Sequence, residues 1–460
     1  MKDLVIVGGG PGGYTAAIRA RQLGMETALI EKDHLGGTCL NRGCIPTKTY
    51  CQNAAVLRHI HNSQEFNIEV GQVRFDMAGA RQRKDNVVTR LVSGVEKLLK
   101  DHGVEKIKGR AVLLDKNTVL VDGQIIQTRN LLIATGSIHA LPPLPVLDPE
   151  MVVNSDQLLE LIEVPARLAI IGGGVVGLEF AGIFSAFGSQ VTVLEYQPEL
   201  LPAMDLELGK RLRVFMKKQK IIIHTGTVVE RIESPYSPWQ VTATGKYGAI
   251  HVQADRVLIA TGRKAYTDGL NLHQLGIVTD DRGFIRVDRH MATNIEGVYA
   301  IGDVTGGAML AHAASAEGVA AVENMAGIMA TVPYHAIPAC VFTSPEIASV
   351  GLSEEEAKSG RIAFRTGKCQ FAGNGKALAM GEPDGMIKVL ADQEDSIIGV
   401  HIIGPHASDL IMEGTLLVQN RMKVHEVAGI IHPHPTLSEA LLEAVLDVKG
   451  EAIHLSPPRR

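Results

Sequence analysis

The chain carries its own N-terminal motif twice. Residues 4–32 read LVIVGGGPGGYTAAIRARQLGMETALIEK, and residues 168–196 read LAIIGGGVVGLEFAGIFSAFGSQVTVLEY. One constant offset of 164 lays Gly8 on Gly172, Gly10 on Gly174, Gly13 on Gly177, Gly24 on Gly188 and Glu31 on Glu195. A second element follows each copy, LLIATGS at 131–137 and VLIATGR at 257–263. Repetition at this scale means two units of one design. With 460 residues the chain is also too long for a single ordinary core, and two to four domains are expected.

Each copy has a physical reading. The apolar runs Leu4–Val7 and Leu168–Ile171 suit parallel strands buried on both faces. The G-x-G-x-x-G turn then opens a helix. Its first Gly makes the turn, its second lets backbone approach a pyrophosphate, and its third allows the helix to pack closely on the strand. The helix N-terminus offers unpaired N–H groups and a positive dipole end to phosphate. Glu31 and Glu195 end the following strand, about 20 residues on, where an acid accepts from a ribose 2′-hydroxyl. The two copies together predict dinucleotide binding at both sites.

Composition removes other classes. A net charge of −5, aromatics at 4% and a single Trp239 argue against nucleic-acid binding and against coating anionic lipid. The most apolar stretch, Leu168 to Leu194, holds Glu179 and six glycines, which disfavours a membrane span. A strand begins almost at the first residue, so no targeting peptide is expected, and the reading is a cytoplasmic enzyme.

Five cysteines, three of them at 39, 44 and 51, do not make a secreted disulfide framework. Cys39 and Cys44 lie in GGTCLNRGCIPTK, residues 36–48. On one ideal helix they would stand about 140° apart. A bridge needs a distorted turn that brings their Cα atoms within roughly 7 Å, and Gly43 and Pro46 allow one. The favoured reading is a redox disulfide. A metal and inert thiols are the alternatives. A zinc site wants a second cysteine pair, and a plant-type iron–sulfur spacing wants a cysteine where Thr47 stands. No metal site is expected. Cys51, Cys340 and Cys369 read as buried apolar fillers.

These motifs, with AIGDVTGGAMLAHAA at 300–314 and HPHPTLSEA at 432–440, carry a resemblance that runs from Met1 to about His454. The chain resembles the FAD-dependent pyridine nucleotide–disulfide oxidoreductases, and within them the dihydrolipoyl dehydrogenases. The resemblance implies an α/β fold of two Rossmann-like domains, one for FAD and one for NAD, with a C-terminal α+β dimerisation domain. It implies a redox-active Cys39–Cys44 disulfide, Lys48 beside the flavin with Glu179 as its ion-pair partner, and His434 as base oriented by Glu439. His432 is the alternative base. Asp303 and Ala311 match flavin contacts. Lys32, Gly37, Thr38, Ala111, Thr135, Gly136, Val229, Gly262 and Arg263 complete the expected cofactor-binding positions.

The implied reaction oxidises protein-bound dihydrolipoamide with NAD⁺. The implied partners are a second copy of the chain, as a homodimer, and a lipoyl-bearing protein of a 2-oxo acid dehydrogenase complex or a glycine-cleavage system. Alternatives are an NAD(P)H-dependent reductase of another disulfide and a non-catalytic flavoprotein subunit. NAD rather than NADP follows from Glu195, with Tyr196 and Gln197 next and no Arg to receive a 2′-phosphate. The expected division is 1–145 (FAD), 146–263 (NAD, entered through the linker LPPLPVLDP at 141–149), 264–334 (return to FAD) and 335–460 (dimerisation). Residues 386–403 read as two antiparallel strands around a polar turn. Arg42 and the pair Ala265-Tyr266 depart from the family's common pattern.

Overall fold

The computed structural model describes residues 1–142, 144, 151–233 and 238–456. Most of the linker expected at 141–149, and the boundary drawn between 145 and 146, lie outside these residues.

The first copy of the repeat opens a parallel sheet. Strand Lys2–Val7 pairs with Thr27–Glu31 on one side and with Gln124–Ile133 on the other, and Glu105–Lys108 adds beyond Thr27–Glu31. Leu4, Val5 and Ile6 are fully buried because helices cover one face and a second layer covers the other. Strand Val298–Ala300 returns to this sheet in parallel beside Gln124–Ile133. Its helix Ala311–Met325 lies against the glycine helix Pro11–Gln22. Small residues set that approach: a Cβ on Gly318 would stand 2.6 Å from the Gly12 carbonyl oxygen. Arg19 closes the far end on Glu323 at 2.6 Å.

The second copy repeats the arrangement. Strands Ile222–His224, Gln190–Leu194, Arg167–Ile171, Arg256–Ile259 and Val152–Val153 lie parallel in that spatial order. The apolar stretch 168–194 is therefore strand, helix Val175–Phe187 and strand. Among the described residues no helix is long and apolar enough to cross a membrane. Both units also carry a three-stranded antiparallel meander, which the sequence reading did not find. One is Ala111–Asp115, Thr118–Val121 and the start of Gln124–Ile133; the other is Val228–Glu233, Trp239–Gly245 and Gly248–Ala254. A two-stranded ribbon, Ser137–His139 against Arg263–Ala265, joins the units.

The C-terminal part is α+β. Its antiparallel sheet runs Ala339–Val341, Glu346–Gly351, Ile397–Gly404, Met386–Asp392, Phe364–Gln370. The third and fourth of these strands are those expected within 386–403. Helices Ala407–Gln419 and Glu439–Asp447 pack on this sheet through Ile411, Leu417, Val418, Leu441 and Val445.

Candidate active site

Two helices, rather than one, hold the cysteine pair. Cys39 lies in the short helix Gly37–Arg42, and Cys44 is the first residue of helix Cys44–His61. Gly43 breaks the run between them at φ −133° and ψ −109°. A Cβ there would stand 3.0 Å from the Thr38 carbonyl oxygen. The 140° separation of an ideal helix therefore never arises. Asn41 pins the short helix by donating to the carbonyls of Leu35 and Gly37, both at 2.9 Å. Cys39 and Cys44 are half-buried free thiols on either side of this break.

The pair is electrically asymmetric. The neighbouring Cys39 thiol is the largest influence lowering Cys44. Burial opposes it, and the Lys48 ammonium and the Cys44 backbone N–H reinforce it, so the thiol is held at about 7. The adjacent Cys44 sulfur, then burial and the Cys44 charge, drive Cys39 far above the usual thiol range. A thiol at a helix N-terminus beside a lysine is where thiolates are stabilised.

Lys48 sits one turn after Cys44 and so shares its helix face. Its Nζ meets both carboxylate oxygens of Glu179, at 2.9 and 2.8 Å. Glu179 comes from the second glycine helix and its side chain is 4% exposed, so the buried acid of the apolar helix has its counter-ion. Burial works against the Lys48 ammonium, but the Glu179 charge and hydrogen bond outweigh it and hold the amine above its usual value. Cys51 and Cys340 are half-buried rather than buried, and Cys369 is buried. Burial pushes Cys51 up to about 12 and Cys340 and Cys369 up to about 11, which keeps all three protonated at neutral pH. Among the described residues no three His, Cys, Asp or Glu side chains converge as metal ligands would.

The two glycine turns are built alike. Gly8 and Gly172 have φ of +110° and +117°, and Cβ atoms on Gly13 and Gly177 would strike the Gly8 and Gly172 carbonyl oxygens at 1.9 and 2.0 Å. In front of Gly10 and Gly174, by contrast, a Cβ would meet nothing within 4 Å. That open space at a helix N-terminus fits a pyrophosphate at each turn. Glu31 accepts from the Gly9 N–H at 2.7 Å and the Asp33 N–H at 2.8 Å. Glu195 likewise accepts from the N–H groups of Gly173 and Gln197. Both acids thus brace their own turn. Gly9 and Gly173 were not singled out from the sequence, although the repeat aligns them.

The other expected positions gather mainly at the first turn. Gly37 abuts Gly10, since a Cβ on Gly37 would stand 2.8 Å from the Gly10 Cα, and Thr38 follows, exposed. Lys32 lies over the Tyr266 ring, 3.8 Å from its centroid. Tyr266 donates its N–H to Gly136, and the Thr135 hydroxyl donates to the Tyr266 carbonyl. The departure at 265–266 is therefore an anchored loop. Asp303 accepts from the Ser137 hydroxyl, and Arg263 donates to that hydroxyl oxygen at 2.6 Å, which places Arg263 with Asp303. Ala311 begins helix Ala311–Met325, and Ala111 is buried at the start of its strand. At the second unit, Gly262 accepts from the Ala140 N–H, and Val229 packs with Ile171, Leu194 and Ile259 beside the parallel strands. Arg42 pairs with Asp33 at the surface.

His434 and Glu439 are together, Nδ1 to Oε1 at 2.9 Å, and Glu439 also accepts from the Thr436 N–H at 2.8 Å. That N–H and then the His434 contact hold the Glu439 carboxyl below its usual range. The His434 side chain is 78% exposed, whereas His432 is 5% exposed with both ring nitrogens engaged, to Ile430 O and Glu413. Among the described residues His434 makes no hydrogen bond to either cysteine of its own chain.

Comparison with known proteins places this geometry. Residues 2–318 match the sequence profile of the pyridine nucleotide-disulphide oxidoreductases. The chain belongs to this family. Residues 337–445, which include His434 and Glu439, match the dimerisation domain of these oxidoreductases. The chain is 39% identical to the mitochondrial dihydrolipoyl dehydrogenase of Pisum sativum, over 98% of this chain and 92% of that protein. It is 40% identical to a dihydrolipoyl dehydrogenase of Bacillus subtilis, over 98% of this chain and 99% of that protein. Among solved structures, LpdA from Mycobacterium tuberculosis superposes with a TM-score of 0.89 at 27% identity, covering 97% of this chain and 99% of that one. As in other oxidoreductases of the family, a dinucleotide-binding part is thus followed by a separate C-terminal domain.

Proposed function

We propose that the chain oxidises the dihydrolipoyl group of a lipoyl-bearing protein with NAD⁺, as a homodimer, with FAD at the first glycine turn and NAD at the second. The observation that carries this reading is the cysteine pair at a helix junction, with Cys44 one turn before Lys48 and the Lys48 ammonium 2.8 Å from the buried Glu179 carboxylate. Relatives with the corresponding printed activity match over nearly the full chain. The carrier belongs to a 2-oxo acid dehydrogenase complex or a glycine-cleavage system, and the compartment is the cytoplasm. The division at 145, 263 and 334 is part of the same proposal, supported by the return of Val298–Ala300 to the first sheet.

The chain's own residues account for the sulfur chemistry. His434 of one subunit accepts a proton from a substrate thiol bound at the partner's cysteine pair, because the thiolate is the nucleophile. That sulfur attacks Cys39 in the bridged form, and the Cys39–Cys44 bond breaks. Cys44 departs as thiolate, since the thiol of lower pKa leaves faster. The second substrate thiol then attacks the substrate sulfur and closes the lipoyl ring, and the proton it releases goes to the Cys39 sulfur, which is freed as thiol. FAD, held at the first glycine turn, would supply the acceptor for the electron pair of the reduced cysteines, and NAD⁺, held at the second, would supply the final hydride acceptor. Lys48 holds positive charge beside the departing thiolate throughout.

Mixing the FAD-replete protein with dihydrolipoamide and NAD⁺, beside an NADP⁺ control, tests the reading. Fast NADH formation is expected. No turnover, with the flavin still bleached by NADH, would send the search to another disulfide substrate.

Nucleotide choice gives a second test. A 2′-phosphate near Glu195 meets its carboxylate. Two unit charges about 4 Å apart repel by about 1 kcal/mol in water and about 4 kcal/mol at a near-surface dielectric. Glu195→Ala with Gln197→Arg is therefore expected to move the NAD⁺/NADP⁺ ratio of kcat/KM toward NADP⁺ by about 10- to 10³-fold. Some loss with both nucleotides is also expected, because Glu195 braces Gly173. An unchanged ratio would remove Glu195 as the selector.

A further inference from the structure

Phe342 joins three parts of the chain at the charged pair behind the cysteines. It follows strand Ala339–Val341 of the C-terminal sheet. Its N–H donates to Glu179 Oε1 at 3.0 Å, its carbonyl accepts from the Cys51 thiol at 3.6 Å, and its ring centroid lies 4.6 Å from Lys48 Nζ. Glu179 belongs to the second unit, and Lys48 and Cys51 belong to the cysteine helix of the first. Among the described residues the charged or titratable groups that act on or feel the Lys48 ammonium include Glu179, Cys39, Cys44, Cys51 and Cys340; those acting on Cys44 include Cys39, Lys48 and Glu179. A carboxylate on one side supplies charge but leaves the long side chain free to pivot. A ring face on another side supplies direction, because a cation is drawn to the electron-rich face.

We infer that Phe342 is a positioning residue, whose ring and backbone N–H fix the Lys48–Glu179 pair where the ammonium supports the Cys44 thiolate. The inference rests on the proposed roles of Cys44, Lys48 and Glu179. It makes the C-terminal domain a participant in the thiol site of its own chain, separate from any contribution of His434 to the partner.

The test replaces Phe342 in the full-length, FAD-replete protein with Leu, with Tyr, and with trifluorophenylalanine, which keeps the shape and the N–H but empties the ring face of electron density. The readouts are kcat, the KM for NAD⁺, and the pH midpoint of the long-wavelength thiolate–flavin band in the reduced protein. Trifluorophenylalanine and Leu are expected to lower kcat by about 2- to 30-fold, the range of a partly desolvated cation–ring contact. They are also expected to move the band midpoint upward with KM for NAD⁺ unchanged, while Tyr behaves as Phe. A trifluorophenylalanine protein indistinguishable from the parent overturns the inference, and that variant serves if Leu prevents folding. Glu179→Gln run in parallel separates the two levels. A midpoint that moves with Glu179→Gln but not with the fluorinated ring sinks Phe342 alone. A midpoint that moves with neither sinks the Lys48–Glu179 support as well.

Discussion

Cys44→Ser is expected to bind FAD, to lose the long-wavelength thiolate–flavin absorption on reduction, and to abolish turnover with a dithiol. The argument starts from the backbone. Gly43 ends one helix and Cys44 begins the next, so its sulfur stands at a helix N-terminus. There the Cys39 thiol, its own N–H and the Lys48 ammonium all favour the anion. Serine keeps the hydroxyl hydrogen bond and the fold but has no accessible anion and forms no disulfide. In the unaltered reduced protein the same band should weaken as pH falls through about 7. The lowered thiol is anionic above that value and protonated below it. Cys39→Ser is the control: Cys44 remains, so the band should persist while turnover is lost. Absorbance titration of the three proteins checks all of this. A band that survives in Cys44→Ser would assign the thiolate to Cys39.

Much of this site is visible in the letters because its constraints are local. Gly8, Gly13, Gly172 and Gly177 are required where a Cβ would collide with backbone, and the same collision at the same spacing writes the repeat twice. Glu31 and Glu195 ride on the strand ends that the repeat predicts. The ribbon Ser137–His139 with Arg263–Ala265 and the position of Phe342 are different. They depend on how distant segments meet, and Phe342 has no chemically marked side chain to announce it. The meanders are not legible in the same way, because strands such as Val228–Glu233 bury only Ile232 fully and lack the apolar run that marks a parallel strand. Cys51 and Cys340 were read as buried from composition. They are half-buried, each packed at the margin of a core cluster, with the Cys51 thiol turned to the Phe342 carbonyl.

His434→Gln is expected to fold, bind FAD and accept electrons from NADH, yet to lose about 10²- to 10⁴-fold in kcat with dihydrolipoamide, the range of a missing general base. The geometry separates the two histidines that the sequence left as alternatives. His432 is buried and spends both ring nitrogens on Ile430 O and Glu413, so no lone pair is free to accept a proton. His434 spends only Nδ1, on Glu439, and presents Nε2 at the surface. Glu439 is itself fixed by the Thr436 N–H, so its carboxylate holds the imidazole in the tautomer with the proton on Nδ1. Glutamine at 434 can keep the contact to Glu439 but cannot take up a proton. The loss should therefore appear in the dithiol half of the reaction and not in the NADH half. His432→Gln is expected to act on stability instead, because it removes the part-buried contact to Glu413. Stopped-flow reduction by dihydrolipoamide and by NADH distinguishes these outcomes. Near-normal reduction of the His434 variant by the dithiol would place the base elsewhere. A mixed dimer of His434→Gln and Cys44→Ser chains decides where the base acts. If His434 serves the partner's cysteines, the mixed dimer pairs both lesions at one site and leaves the other intact, giving about half the parental activity. If it serves its own, neither site is intact and activity stays at the level of the single variants.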